Sequence, residues 1–243
     1  MSRFFIEVSY RGTHFSGFQV QANAVTIQSE LEKALEILFK ESFTLTGSSR
    51  TDRGVHALQN YFHFDTDQPF IDQERKVYNL NAILPADIVV KRIFKVADTA
   101  HSRFDAIRRE YLYYIYSNKD PFLIDRAFYY PYTLNLDALN EAAYILMQHT
   151  DFTSFSKRNT QVNNFNCTLS ISNWTCKDDL LIYHVAGNRF LRGMVKGLVG
   201  TMLLVGTGKI TIENFAQIIL SRDCTNADFS VPPHGLFLNK VVY

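Results

Sequence analysis

One aspartate sits between two arginines in the run Arg50-Thr51-Asp52-Arg53-Gly54-Val55-His56. Opposite charges within ~4–6 Å favour the ionised form of a carboxylate. An ionised carboxylate can serve as a nucleophile or a general base. Gly54 allows a sharp backbone turn just after it. Spacing alone fits an ordinary solvated turn better than a catalyst, because polar residues beside glycine are frequent in turns.

Two further clusters carry cations. Arg103, Arg108 and Arg109 precede Tyr111, Tyr113, Tyr114 and Tyr116. On a strand, Tyr111 and Tyr113 share one face and Tyr114 and Tyr116 the other. One face could stack on an exposed base beside arginines that hold phosphate. The competing reading is a core strand whose tyrosines pack and hydrogen-bond their hydroxyls. In Asn188 to Gly200, Arg189, Arg192 and Lys196 recur at helical spacing, with Gly193, Gly197 and Gly200 on a small-residue face. That pattern also describes a packed helix with snorkelling basic side chains. It is no dinucleotide fingerprint, because the glycine spacing is wrong and no strand-glycine-helix unit introduces it.

Other chemistries find little support. His56 and His63 are too isolated, with no cysteine near and no cluster of carboxylates at ligand spacing, to suggest a metal site, and His101 and His149 add nothing. Ser48-Ser49 lacks the strand-elbow-helix setting of a hydrolase serine. The three cysteines, Cys167, Cys176 and Cys224, form no CxxC pair, which argues against a zinc knuckle or a disulfide framework and fits a reducing cytoplasm. The N-terminus runs directly into a strand-like pattern without a signal-peptide profile. No apolar run approaches the ~18 residues that span a bilayer. With 47% hydrophobic and 20% charged residues, the chain reads as globular rather than disordered. Its net charge of +1 does not announce a nucleic-acid partner, so any RNA surface must come from local basic clusters.

The elements that must position these residues alternate without a parallel βαβ rhythm. Strands are expected at Phe4 to Tyr10, Phe43 to Thr46, Tyr61 to Phe64, Ile88 to Phe94, Tyr111 to Tyr116 and Leu236 to Val242. A hairpin is expected across Lys177-Asp178-Asp179. Thr26 reads as the N-cap of a helix carrying Ile27, Leu31, Leu35 and Leu38. Further helices are expected at Tyr78 to Leu84, Leu136 to Gln148, Arg192 to Leu204 and Ile212 to Leu220. Gly47 to Gly54 is polar and glycine-bounded, as an exposed loop would be. The element order in the first half roughly repeats in the second. The expected fold is therefore α+β, with two similar subdomains, 1–105 and 106–243, each a mostly antiparallel sheet flanked by helices.

These motifs recur together in one known family. Tyr10 to Gln21 resembles a YxGxxFxGxQxQ segment, and Thr26-Ile27-Gln28 with Leu31 to Leu35 continues it. Arg50 to Ala57 is similar to RTDxGVHA. Leu84 to Ile88, Arg103 to Ala106, Arg109-Glu110-Tyr111, Asp151 to Phe155, Phe190 to Gly208 and Pro232 to Leu236 follow in order. This set, covering essentially the whole chain, resembles the TruA family of tRNA pseudouridine synthases. RTDxGVHA is fairly specific by itself, and the ordered set is very specific.

The resemblance implies an isomerase that converts uridine to pseudouridine in tRNA, without a cofactor or metal. It makes Asp52 the nucleophile and Arg50 the residue that enters the RNA stack and holds the target uridine out. It makes Tyr111 the ring that stacks on the base, and it puts the basic partner of Asp52 at Lys196, where arginine is more usual. Phe18 stands where the family often has tryptophan. Arg53, Arg103, Arg109, Arg189 and Arg192 are candidate contacts to tRNA. A homodimer is implied, with an active-site cleft between the subdomains that receives the anticodon arm and targets uridines at tRNA positions 38–40. A low net charge fits this if the basic residues gather at the cleft. Two alternatives remain open on the sequence: a synthase acting on another tRNA position or RNA, and a non-catalytic RNA-binding or tRNA-folding factor.

Overall fold

Local sequence signals start and stop most of the elements. The computed structural model of the protein describes residues 1–68, 73–158, 162 and 164–243. Met1–Ile107 with Phe237–Tyr243 form one compact unit, and Arg108–Leu236 form another.

The first unit contains β1 (Ser2–Tyr10), α1 (Ile27–Phe39), β2 (Thr46–Gly47), β3 (His56–Thr66), α2 (Gln73–Ile83) and β4 (Ile88–Lys95). β1 pairs antiparallel with both β3 and β4, and β2 adds a short antiparallel pairing to β3. Phe4 to Val8 are buried without alternation, so both faces of β1 are covered. Thr26 caps α1 in a reciprocal box with Ser29. The helix buries Ile27, Leu31, Ala34, Leu35 and Phe39, the i, i+4, i+8 stripe of an amphipathic helix. Burial of each large aliphatic side chain contributes roughly 1.5–3 kcal/mol. α2 packs on β4.

The second unit contains β5 (Arg108–Tyr116), β6 (Phe128–Tyr129), α3 (Leu136–Leu146), β7 (Leu169–Lys177), β8 (Leu180–Gly187), α4 (Met194–Gly206) and α5 (Ile212–Ser221). β8 lies between β5 and β7 and is antiparallel to both, while β6 pairs parallel with the end of β5. Asp178 and Asp179 both take the left-handed conformation, with φ of 50° and 62°, and close the expected hairpin. A two-residue turn of this hand matches the twist of its strands. α3 buries Leu139, Ala142, Ala143 and Leu146. It docks on β7 through Asn140, which accepts from Trp174 N and donates to Trp174 O. The chain ends with β9 (Leu236–Val242), whose Phe237 and Leu238 pair parallel with His56 and Ala57 of β3.

Each unit is thus a mostly antiparallel sheet flanked by helices, and the fold is α+β as expected. Three local expectations change. The strand expected over Phe43 to Thr46 shrinks to Thr46–Gly47, because α1 side chains replace ladder partners. Glu32 accepts from Leu45 N at 2.9 Å, and Gln28 donates to Leu45 O at 3.0 Å. The helix expected from Arg192 begins at Met194, because Gly193 takes φ 74° as its N-cap. The expected exposed loop from Gly47 to Gly54 is largely buried.

His63 on β3 shows how strongly this packing perturbs a side chain. Its Nδ1 accepts from Ser102 N at 3.2 Å. Burial, then the charges of Arg3 and His101, push its pKa down to about 4, against the weaker opposing pull of Asp65 and Asp105. Above pH ~6.5 the ring is neutral in both folded and unfolded chains. Between ~6.5 and 4 the unfolded chain binds a proton that the folded chain refuses. Stability is therefore expected to fall with pH over that window, by up to about 3 kcal/mol from this group. Thermal unfolding of His63→Gln should show a flatter pH profile than the parent; parallel profiles would refute the assignment.

Candidate active site

Asp52 is held by a loop whose supports come from three elements of the first unit. The Asp52 carbonyl accepts from Val55 N at 3.2 Å and closes a turn, with Gly54 at φ 79°. Few residues other than glycine adopt that angle cheaply. On the upstream side, Thr51 O accepts from Phe18 N at 3.1 Å.

Beneath the loop lies a buried polar network. Asn60, fully buried on β3, is its hub. Its amide nitrogen donates to Ser49 O at 3.2 Å and to the Tyr10 hydroxyl at 3.1 Å. Its amide oxygen accepts from Ser48 Oγ at 2.7 Å and from Tyr61 N at 2.9 Å. The Tyr10 hydroxyl lies 2.8 Å from Thr51 Oγ1. Satisfied networks of this kind rigidify the backbone they hold. Downstream, His56 Nδ1 accepts from Gly12 N at 3.1 Å, and its ring stacks on Phe237 with centroids 4.5 Å apart. That bond puts the ring proton on Nε2. His56 therefore supports the loop; among the described residues no group of three or more His, Cys, Asp or Glu is placed to hold a metal ion.

These supports bury Ser48, Ser49, Thr51, Gly54, Val55 and His56, while Asp52 is half-buried and Arg50 and Arg53 are exposed. Among the described residues of its own unit, the Asp52 carboxylate makes no hydrogen bond or ion pair, with the flanking arginines or otherwise. Direct pairing with Arg50 or Arg53 is not seen there among the described residues. Successive side chains on an extended loop diverge, and exposed guanidinium groups gain little from pairing. The arrangement is a carboxylate on a rigid mount with its oxygens unspent on that mount. The two exposed arginines beside it make no ion pair with the described residues of the unit and can reach a polyanion.

Arg103, also in this unit, lies on the exposed segment between β4 and β5, with its guanidinium 5.6 Å from the Phe104 ring centroid. The remaining candidates belong to the second unit. Tyr111 is on β5, paired with Val185 of β8, and its ring meets Phe190 edge-on at 5.0 Å. Arg109 is nearly buried and donates from Nη1 to Asn188 O at 3.1 Å. Arg189 donates to Asn164 Oδ1 at 3.3 Å. Tyr111, Arg109 and Arg189 thus gather around the segment that joins β8 to α4. Arg108, by contrast, is spent in a 2.8 Å ion pair with Glu110.

Lys196 occupies the first turn of α4 and is half-buried. Arg189 and Arg192 precede the helix, so the helical stripe of three cations expected from spacing does not form. A cation at a helix N-terminus opposes the macrodipole by ~0.3–1 kcal/mol. Helix stability therefore does not explain Lys196. Of the four tyrosines on β5, Tyr113 is structural: it is fully buried, and its hydroxyl donates to Pro232 O at 2.7 Å. Burial raises its pKa far above the usual phenol range.

Sequence reasoning missed Asn60 and Tyr10. The available signal was an asparagine inside an otherwise strand-forming run, Ala57 to Phe64, which asks for a buried partner.

A family model described as tRNA pseudouridine synthase matches residues 6–105 and 142–243. The chain is similar to tRNA pseudouridine synthase A of Parabacteroides distasonis, at 42% identity over the whole chain and 96% of that relative. It is likewise similar to the enzyme of that name from Porphyromonas gingivalis, at 40% identity over 100% of this chain and 98% of the relative. For the Staphylococcus aureus (strain N315) enzyme the identity is 38%, covering 98% of this chain and 90% of the relative. Matches of that length and closeness, on a chain whose Asp52 loop is mounted as described, make it a member of the TruA family of tRNA pseudouridine synthases, which are isomerases.

Proposed function

We propose that this protein converts uridine to pseudouridine in the anticodon stem-loop of tRNA, at positions 38–40, with Asp52 as the nucleophile. The observation that carries the reading is full-length similarity to tRNA pseudouridine synthase A enzymes together with a rigidly mounted aspartate. The reaction breaks the bond between ribose C1′ and uracil N1, turns the base, and joins C1′ to C5. The proton lost from C5 is balanced by one gained at N1, so the change is an isomerisation.

Asp52 acts through its carboxylate, either by adding to the base or by assisting departure of the uracil and removing a sugar proton. Tyr111 stacks on the flipped base. Extrusion costs a few kcal/mol, and stacking on a ring returns roughly 1–3 kcal/mol of it. Arg50 enters the stack in place of the base. Arg53, Arg103, Arg109, Arg189 and Arg192 meet phosphates, and Lys196 pairs with Asp52. The protein works as a homodimer in the cytoplasm. Among the described residues no helix is long and apolar enough to cross a membrane.

Tritium release from tRNA labelled at uridine C5 tests the activity directly, and mapping of pseudouridines in a deletion strain tests the sites. Binding without release would support an RNA-binding factor instead. Loss of pseudouridine elsewhere than positions 38–40 would reassign the target.

Lys196 carries its own test. Lys196→Ala is expected to lower the single-turnover rate about 10- to 100-fold, the range for removing one charge-assisted contact. Lys196→Arg should restore most of it, since arginine keeps the charge and adds a fork. Equal rates for Lys196→Ala and the parent would move the pairing role to another residue.

A further inference from the structure

In the segment Arg103 to Ala106, the first unit displays an aromatic side chain that packing does not explain. Phe104 is 73% exposed. An isolated exposed hydrophobe needs no account, but this one sits on a built mount. Its ring lies 4.3 Å from the His101 ring, which in turn meets His63 edge-on at 4.7 Å. His63 stacks against Phe5 in the core at 6.2 Å. The series of rings therefore runs from the core to the surface and ends on Phe104.

The backbone beneath is equally fixed. His101 Nδ1 accepts from Arg103 N at 3.1 Å and Phe104 N at 3.3 Å. Asp105 accepts from His101 N at 2.7 Å. Ser102 Oγ donates to Thr46 O at 2.7 Å, and the Tyr243 hydroxyl donates to Ser102 O at 2.7 Å. A side chain held this way loses little entropy when it binds. Beside it stands the Arg103 guanidinium. An exposed ring next to a cation offers a base one partner and its phosphate another.

The mount also fixes its distance from the reaction. Ser102 is anchored on Thr46, and Asp52 lies six positions further along the chain. A fully extended chain of that length spans at most roughly 20 Å. The mount of Phe104 is therefore within reach of an RNA molecule whose target uridine sits at Asp52.

We propose that Phe104 is a stacking platform for an unpaired or terminal base of the substrate tRNA, with Arg103 holding an adjacent phosphate. This rests on the tRNA-modifying reading above. Phe104 is a binding residue and takes no part in the chemistry.

The test uses the full-length protein and an unmodified tRNA transcript. Phe104→Ala should weaken tRNA binding roughly 5- to 150-fold, the equivalent of one lost stack. At saturating tRNA its single-turnover rate should stay within about twofold, and its unfolding temperature should not move. Phe104→Trp should bind as the parent does. Its new fluorescence should be quenched by the transcript, and the buried Trp174 provides the internal reference. Unchanged affinity of Phe104→Ala, or unquenched fluorescence of Phe104→Trp, would overturn the platform. So would weakened binding that appears only together with loss of oligomeric state by light scattering, because Phe104 would then be an interface residue. Absence of conversion by the parent would instead count against the enzymatic reading, and the binding measurements would still score Phe104.

Discussion

Replacement of Asp52 by asparagine is expected to lower single-turnover pseudouridine formation by at least about a thousandfold. The affinity for tRNA should stay within about twofold. The substitution keeps the shape and removes the charge. It also removes little that the fold uses, since among the described residues of its unit the carboxylate accepts no hydrogen bond and joins no ion pair. The turn around it is closed by backbone groups, Val55 N on Asp52 O, which asparagine retains. Unfolding free energy should accordingly shift by less than about 0.5 kcal/mol. The large kinetic effect beside a small stability effect is what separates a nucleophile from a structural turn residue. Substantial turnover by a preparation free of the parent enzyme would end the assignment of Asp52. A variant that lost activity through unfolding would leave a changed melting temperature as its signature.

The second large effect concerns a residue with no side chain. A Cβ on Gly12 would lie 2.0 Å from Val55 O and 2.8 Å from Val55 C. Both are backbone atoms, so no rotamer change can relieve the clash. Gly12→Ala must push the end of β1 away from the Asp52 loop. It would also stretch the 3.1 Å bond from Gly12 N to His56. We expect a destabilisation of about 2–4 kcal/mol, at the upper end for overpacking because backbone must move. Whatever fraction remains folded should be slowed about a hundredfold, the cost of an ångström-scale misplacement of a reacting group. Denaturant titration and single-turnover assays on the same preparation measure both. Stability and rate within error of the parent would mean that Gly12 and Val55 do not approach so closely.

The two substitutions probe different layers, and the layers differ in how far the sequence exposed them. The helix from Ile27 was legible from Thr26 and its apolar spacing, because capping and helical periodicity act over three to four residues. The hairpin at Asp178-Asp179 was legible for the same reason: the turn chemistry is contained in the turn. The ordered motifs from Tyr10 to Leu236 identified the family. They did so by residue identity, which needs no coordinates.

The setting of Asp52 was hidden. Spacing suggested that Arg50 and Arg53 would compensate its charge, and that its loop would be exposed. Both expectations treated sequence neighbours as spatial partners. The loop instead takes its support from Tyr10 and Asn60, with Tyr10 lying 41 residues from Thr51 in sequence. The stripe expected of Arg189, Arg192 and Lys196 failed because one glycine conformation moved the helix start. The sequence by itself determined the family, the α+β class and the elements governed by short-range capping, turn and periodicity rules. Only the tertiary structure decided which polar groups are buried, which charges stay unspent, and how the loop bearing Asp52 is held. Those outcomes depend on partners brought together by folding, and spacing along a chain carries no record of them.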